Sequence, residues 1–475
     1  MVLCLLLGLA FAAEPAPLPY ADALQRALDN NLTLQAAGLE VEAADGALLA
    51  ARGDFDPLLT STLAHARGTD ESIQQFGEVL SRYQATSWGA NLSQRFATGT
   101  TLDVGLSTAK TSFRYELRDS SLIVESEEPQ YQSRLGASLS QALLQGHRRD
   151  YNQAGIQRAA AARSIAELEH KALRDQTLAL AATRYWDLWY QARRVELAQA
   201  AITLAEEELR VVSARVEQGT LAPVERTRAE SLLVAARAQA LQAEAARRAA
   251  RDQLLLVMGE SAGADLRPST PPADPSAAAP EPAAAVEAAL AQNPDLARLR
   301  RAAEQAELER ALAAHGRLPS LNATASYALL GYETSQGAAI GEVFTNDLHE
   351  WSVGANLAMP LGNRADKGAL AEADARARQA RLSTQAEEQA IAQAVRGQLD
   401  ALLTTRATVE LAQINLRLAE ETLTAERALR QAGRAIQRDV LAAIQAVNDA
   451  GVALEKAKAD HQLARIELQR LQGSL

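Results

Sequence analysis

The chain has 475 residues, only 4% of them aromatic, and a formal net charge of −11. That length is ample for buried cores, the Ala-rich, aromatic-poor composition favours long helices packed through small side chains, and the acidic balance argues against a nucleic-acid partner. Cys4 is the only cysteine, so a chain processed beyond it has neither disulfide nor thiolate chemistry.

Residues 1–12 read as a secretory signal: Leu3-Cys4-Leu5-Leu6-Leu7-Gly8-Leu9 is a short apolar run, followed by Ala10-Phe11-Ala12 as an A-x-A cleavage site. No Lys or Arg precedes the run, and Val2 and Leu3 do not complete a lipoprotein box before Cys4. No later stretch approaches the roughly 18 uninterrupted apolar residues of a spanning helix. A membrane crossing therefore requires strands.

The mature chain is written twice, as a first repeat over 13–265 and a second over 283–475, joined by a Pro-rich connector at 266–282. Residues 196–220 and 410–434 align without a gap at 11 identities in 25 positions. Each repeat opens alike, because Ala27-Leu28 and Asn31 recur as Ala289-Leu290 and Asn293, and Pro57 as Pro319, all 262 residues later.

After the opening helices the apolar period switches from 3.6 to 2. In the first repeat Trp88, Ala90 and Leu92, then Leu102, Val104 and Leu106, then Leu135, Ala137 and Leu139 alternate with small polar residues. In the second repeat Leu321, Ala323, Ala325 and Tyr327, then Trp351, Val353, Ala355 and Leu357, do the same. The pattern predicts strands near 58–67, 84–96, 100–112 and 131–142 and near 319–330 and 350–359, each with one dry face, as in a transmembrane barrel. Both ends of each strand region lead to helices, so the crossings are even in number and the turn Ala97-Thr98-Gly99-Thr100 falls on the helical side.

Long helices follow. Leu188, Val195, Ile202, Leu209 and Val216 mark one heptad seam and Tyr190, Leu197, Leu204 and Val211 a second, about 200° round the helix. Val395, Leu402, Val409, Leu416 and Leu423, with Leu411 and Leu418, repeat both. Two seams suit a cylinder in which every helix touches two neighbours. Sixty-odd residues make a rod of roughly 100 Å.

Each rod stops at a turn, Gly219-Thr220-Leu221-Ala222-Pro223 in the first repeat and Gly433-Arg434-Ala435-Ile436 in the second, and a helix returns. An acid stands six residues past each glycine, Glu225 and Asp439. No Gly-rich phosphate loop, G-x-S-x-G turn or metal-spaced ligand cluster appears, so neither an enzyme nor a cofactor or metal site is expected. The six histidines are scattered as solvated or packing residues, and Trp186, Trp189 and Tyr190 read as helix packing.

The opening Leu18-Pro19-Tyr20-Ala21-Asp22-Ala23-Leu24, the strand pairs leading into long helices, the glycine turns and Pro360-Leu361-Gly362-Asn363-Arg364 together resemble the TolC-like outer-membrane efflux proteins. The resemblance implies a mixed α and membrane-β fold: a homotrimeric outer-membrane β-barrel continuing into a long periplasmic α-helical barrel, embedded in outer-membrane lipid. It implies a passive conduit in a tripartite efflux or type I secretion system, docked by its tips to a periplasmic adaptor and fed by an inner-membrane pump. Asp439 matches the family's periplasmic constriction, with Glu225 as its internal counterpart. The family's second aspartate is Ala442 here, and the tyrosine that locks the turn is Arg430. Arg430, Arg434 and Arg438 are close enough in sequence to hold a closed gate by pairing with Glu225 or Asp439. The alternative is a periplasmic adaptor or a structural coiled-coil protein of the envelope; an adaptor has one hairpin between lipoyl-like halves, whereas this chain has two fed by strands. The repeat offset falls from 262 at the openings to 214 at the tips, so the first repeat holds about 48 extra residues among its strands, room for another hairpin. A trimer has 18 strands if that hairpin joins the barrel and the family's usual 12 if it does not.

Overall fold

The computed structural model describes residues 16–74, 77–117, 123–125, 130–261, 263–275, 280–345, 348–432, 434 and 436–475. The signal segment 1–12 and the tip residues Gly433 and Ala435 lie outside the described residues. In chain order the elements are β1 (Ala16–Leu18), α1 (Tyr20–Asn30), α2 (Leu32–Gly53), β2 (Leu58–Gln74), β3 (Gly77–Arg95), β4 (Thr100–Leu117), β5 (Ile123–Glu125), β6 (Gln130–Ala142), α3 (Arg149–Asn152), α4 (Ala154–Glu217), α5 (Pro223–Val257) and β7 (Leu266–Pro268). There follow α6 (Pro282–Gln292), α7 (Pro294–Gly316), β8 (Ser320–Glu333), α8 (Gln336–Thr345), β9 (His349–Ala358), α9 (Arg364–Gln431) and α10 (Gln437–Gln472). No described helix is long and apolar enough to cross a membrane. The chain divides into two units, one of Met1–Glu42, Ile165–Arg300 and Leu382–Leu475, the other of Ala43–Ser164 and Arg301–Arg381.

The first unit is helical, and its cores reveal which of its long helices pack together. Ile202 and Leu209 of α4 pack with Leu233 and Ala236 of α5, while Leu204 of α4 packs with Val440, Ala443 and Ile444 of α10. The two heptad seams of α4 thus serve two different neighbours. Val409 and Leu416 of α9 pack with Leu454 and Ala457 of α10. Helix α4 therefore packs on both α5 and α10, α9 packs on α10, and α5 also meets α10 through Leu232. The first seam of α9 is used within the chain; Leu411 and Leu418 of its second seam stay exposed, as do Val234 and Leu241 of α5.

Two joints of the chain share one geometry. The Asn31 side chain accepts from the Leu34 N–H (3.1 Å) and donates to the Val257 carbonyl (3.0 Å), closing the end of α5. Asn293 likewise accepts from Leu296 (3.1 Å) and donates to Leu471 (3.2 Å), closing the end of α10. Gly259 and Gly473, each two residues beyond the clasped carbonyl, take φ of 68° and 64°. A β-carbon on either would strike the backbone of Asn30 or Gln292, so glycine is required on two counts. Nearby, β1 and β7 pair in parallel, and the Tyr185 hydroxyl donates to the Leu18 carbonyl (3.0 Å) and accepts from the Thr270 N–H (3.1 Å). The connector is thereby tied to the start of the described chain.

The second unit is built on one antiparallel sheet in the order β2-β3-β4-β6-β8-β9, with β5 extending the pairing of β4. The first three strands run well past their expected ends, to Gln74, back from Gly77 and on to Leu117, because the ladder continues through polar pairs such as Arg67↔Gln84 and Asp70↔Ser81 where alternation has ended. The β3–β4 turn is closed by Gly99 (φ 78°), and the Asn152 amide donates to the Ala97 (3.0 Å) and Gly146 (2.7 Å) carbonyls. This pins the turn beside the first turn of the helix that β6 leads into. Helix α8 lies on the sheet, its backbone so close over Gly331 that a β-carbon there would strike the Ala339 carbonyl.

Candidate functional site

The two tips are built to one plan. At the first, Gly219 adopts φ 73° in open space, so its role is conformational; the Thr220 N–H donates to the Arg215 carbonyl (2.9 Å), and the Glu225 N–H donates to Ala222 (3.0 Å). At the second, 214 residues on in every partner, the Arg434 N–H donates to Leu429 (2.8 Å) and Asp439 to Ile436 (3.1 Å). Pro223 opens α5, where its missing N–H costs nothing. Thr220, Ala222, Pro223, Arg434 and Ile436 are exposed, and Leu221 is half-buried.

The acids past the glycines keep their cations local. Glu225 pairs with Arg228 at 2.6 Å and turns its other oxygen into a buried position without a hydrogen-bond partner among the described residues. Asp439 lies 3.5 Å from Arg438, both open to solvent. The Arg434 side chain has no ion-pair partner among the described residues. Arg430 behaves differently: it reaches neither Glu225 nor Asp439 but forms a buried ion pair with Glu208 of α4, its guanidinium also donating to the Gln437 side-chain oxygen (3.2 Å). The Gln437 amide completes the triangle with a 2.7 Å bond to the same Glu208 oxygen. Three helices and both repeats meet in this cluster.

Sequence reasoning missed Glu208, because Glu206-Glu207-Glu208 reads as a solvated acidic run. The signal was its spacing: Glu208 stands three residues after buried Ala205 and four before buried Val212, on the inward face. Asp175 is a second buried acid of α4, only 3% exposed, with no hydrogen-bond partner for either oxygen among the described residues. Burial raises its pKa, opposed by Lys171 and Arg174. Among the described residues no three His, Cys, Asp or Glu side chains converge to hold a metal ion.

In the sheet, the strand registers put one residue of each strand into a row: Leu59, Leu92, Val104, Ala137, Tyr327 and Trp351. The adjoining row, facing the other way, is Thr60, Asn91, Gly105, Gly136, Ala328 and Glu350. All six strands therefore agree on which face is dry, and the large side chains on that face, Leu59, Leu63, Leu92, Tyr327, Trp351, Val353 and Leu357, are exposed. A sheet with a dry exposed face and a wet one is what a barrel wall between lipid and water needs.

The sequence pattern of the family described as "Outer membrane efflux protein" matches residues 285–474. No curated protein sequence matches the chain. Among solved structures, CusC, described in connection with transmembrane channel formation, superposes with a TM-score of 0.70 at 16% identity, covering 96% of this chain and 92% of that one. The outer membrane protein VceC of Vibrio cholerae gives 0.68 at 15% identity (96% and 96%), and the outer membrane channel CmeC of Campylobacter jejuni 0.67 at 16% (96% and 85%). At such identities the structures speak for the fold alone. The family pattern thus covers the second repeat, and over the whole chain the likeness shows the fold of these outer-membrane channels.

Proposed function

We propose that three copies of this chain form a passive outer-membrane conduit, taking substrates from an inner-membrane pump through a periplasmic adaptor docked at the helix tips. The observation that carries the assembly is the open edge of the helical wall. Leu197 and Leu204 of α4 correspond by the 214-residue offset to Leu411 and Leu418 of α9. Within the chain Leu204 is packed on α10, and Leu197 touches Gly451 of the same helix. The equivalent of α10 in the other repeat is α5. A second copy's α5, bearing exposed Val234 and Leu241, is therefore the surface that Leu411 and Leu418 fit. Repeating that contact closes a ring.

The dry face of the sheet then meets lipid, and the tips present Thr220, Leu221, Ala222, Pro223, Ile436 and Arg434 to the adaptor. Asp439 and Glu225 supply acid near the entrance, where copies facing one another across an axis attract cations. The Arg430–Glu208–Gln437 cluster ties the two tips of a copy together. The test is outer-membrane fractionation followed by native mass and bilayer conductance. A trimer that conducts supports the reading; a soluble periplasmic monomer overturns it. Cysteines at Leu418 and Val234 that never link neighbouring copies would overturn the proposed ring contact.

A further inference from the structure

We infer that the extra hairpin of the first repeat belongs to the membrane wall, so that each copy supplies six strands and three copies close an 18-stranded barrel. The count of copies rests on the trimeric reading above; the count of strands per copy rests on the sheet itself. Strand β4 has no free edge. It is paired with β3 from Val79↔Leu117 to Arg95↔Thr101 and with β6 from Thr100↔Gln141 to Thr111↔Gln130. A neighbouring copy cannot bond to β4 and leave β2 and β3 outside, because the β3 ladder already occupies that side. The only outer edges of the described path are those of β2 and β9.

Three further observations agree. The hairpin carries the dry face in register with the other four strands, Leu59 and Leu92 lining up with Val104, Ala137 and Tyr327, and Leu63 and Trp88 lying on the same face. Its strands, 17 and 19 residues long, exceed the roughly 9–11 residues that a tilted strand needs to cross a bilayer. The β3–β4 turn is pinned by Asn152 at the end where the helices join the sheet, so β2 and β3 leave and return to the side that α2 and α4 occupy. With strands about 4.8 Å apart and tilted about 40°, 12 strands give a backbone diameter of about 24 Å and 18 give about 36 Å. The added pair widens the wall by half.

The test uses paired cysteines on the wet face. Thr62→Cys on β2 is combined in turn with Ser352→Cys, Gly354→Cys and Asn356→Cys on β9, and Ser107→Cys on β4 is combined with the same three. The expected result is covalent dimers and trimers from at least one β2–β9 combination and none from the β4 set. An intact trimer by native mass with no β2–β9 link, or with β4–β9 links, overturns the strand count while leaving the channel reading; a monomer overturns both. A second readout is independent of assembly. Spin labels at Leu63 and Val353, both 75% exposed on the dry face, should be relaxed alike by lipid-dissolved oxygen. Relaxation of the Leu63 label by an aqueous nickel complex would place the hairpin outside the bilayer and overturn the inference.

Discussion

Replacing Arg430 with Met strands the Glu208 carboxylate, 3% exposed, with the Gln437 amide as its remaining partner. Breaking a buried pair from one side costs about 3–5 kcal/mol, because the surviving charge is uncompensated. The cluster lies in the last turn of α9 and the first of α10, so the cost falls on local opening of the tip more than on the whole fold. Amides of 205–212 and 437–444 should lose protection from hydrogen exchange by a factor of about a hundred to several thousand. Glu208→Gln added to Arg430→Met lets the introduced amide and that of Gln437 bond reciprocally with no buried charge, and should recover most of the loss. Exchange measured by mass spectrometry on the purified protein checks both. Unchanged protection in Arg430→Met, or a double variant no better protected than the single, would refute the claim that this pair holds the tip.

Gly219→Ala should lower stability of the first tip by about 1 kcal/mol from its φ of 73° alone, since a β-carbon meets nothing there; local exchange at 215–222 is the measure. Asp439→Ala should weaken block of single-channel current by multivalent cations, and neutralising Arg434 or Arg438 should raise resting conductance; identical block in wild type and Asp439→Ala removes Asp439 from the gate. Asp175→Asn should raise the melting temperature at pH 7: the folded pKa lies above the ordinary 3.8, so wild type is penalised increasingly as pH rises from 3.8 through the raised value, and the gain should vanish below pH 3.8. His315 has the opposite sign. Burial, then His147 and Arg148, hold its pKa below 6.5, and its Nε2 must stay unprotonated to accept the Gly146 N–H at 3.1 Å. Stability should therefore fall as pH drops below 6.5 through the lowered pKa, and His315→Gln should flatten that dependence in thermal melts.

Regular periods made most elements legible. The two-residue alternation from Trp88 to Leu92 and from Leu102 to Leu106 falls within β3 and β4, and the seams at Ile202 and Leu204 point to α5 and α10. What lacked a period was hidden. Helix α8 carries Gly337 and Gly341 and reads as a loop; it forms where Gly331 lets its backbone settle on the sheet, a tertiary cause. The pairing of β1 with β7 joins residues about 250 positions apart and leaves no local trace. At the tips the turns and acids were readable, but the partner of Arg430 was not. Charge alone suggested Asp439 or Glu225, whereas packing delivers Glu208 from another helix.

The paired clasps also leave the number of strands free to vary. Asn31 with Gly259 and Asn293 with Gly473 share geometry down to the carbonyl each amide seizes, while four long strands separate the helices of the first repeat and two those of the second. The joints, not the strands, fix how the helices begin and end, so a hairpin can be added or lost between them without altering either joint.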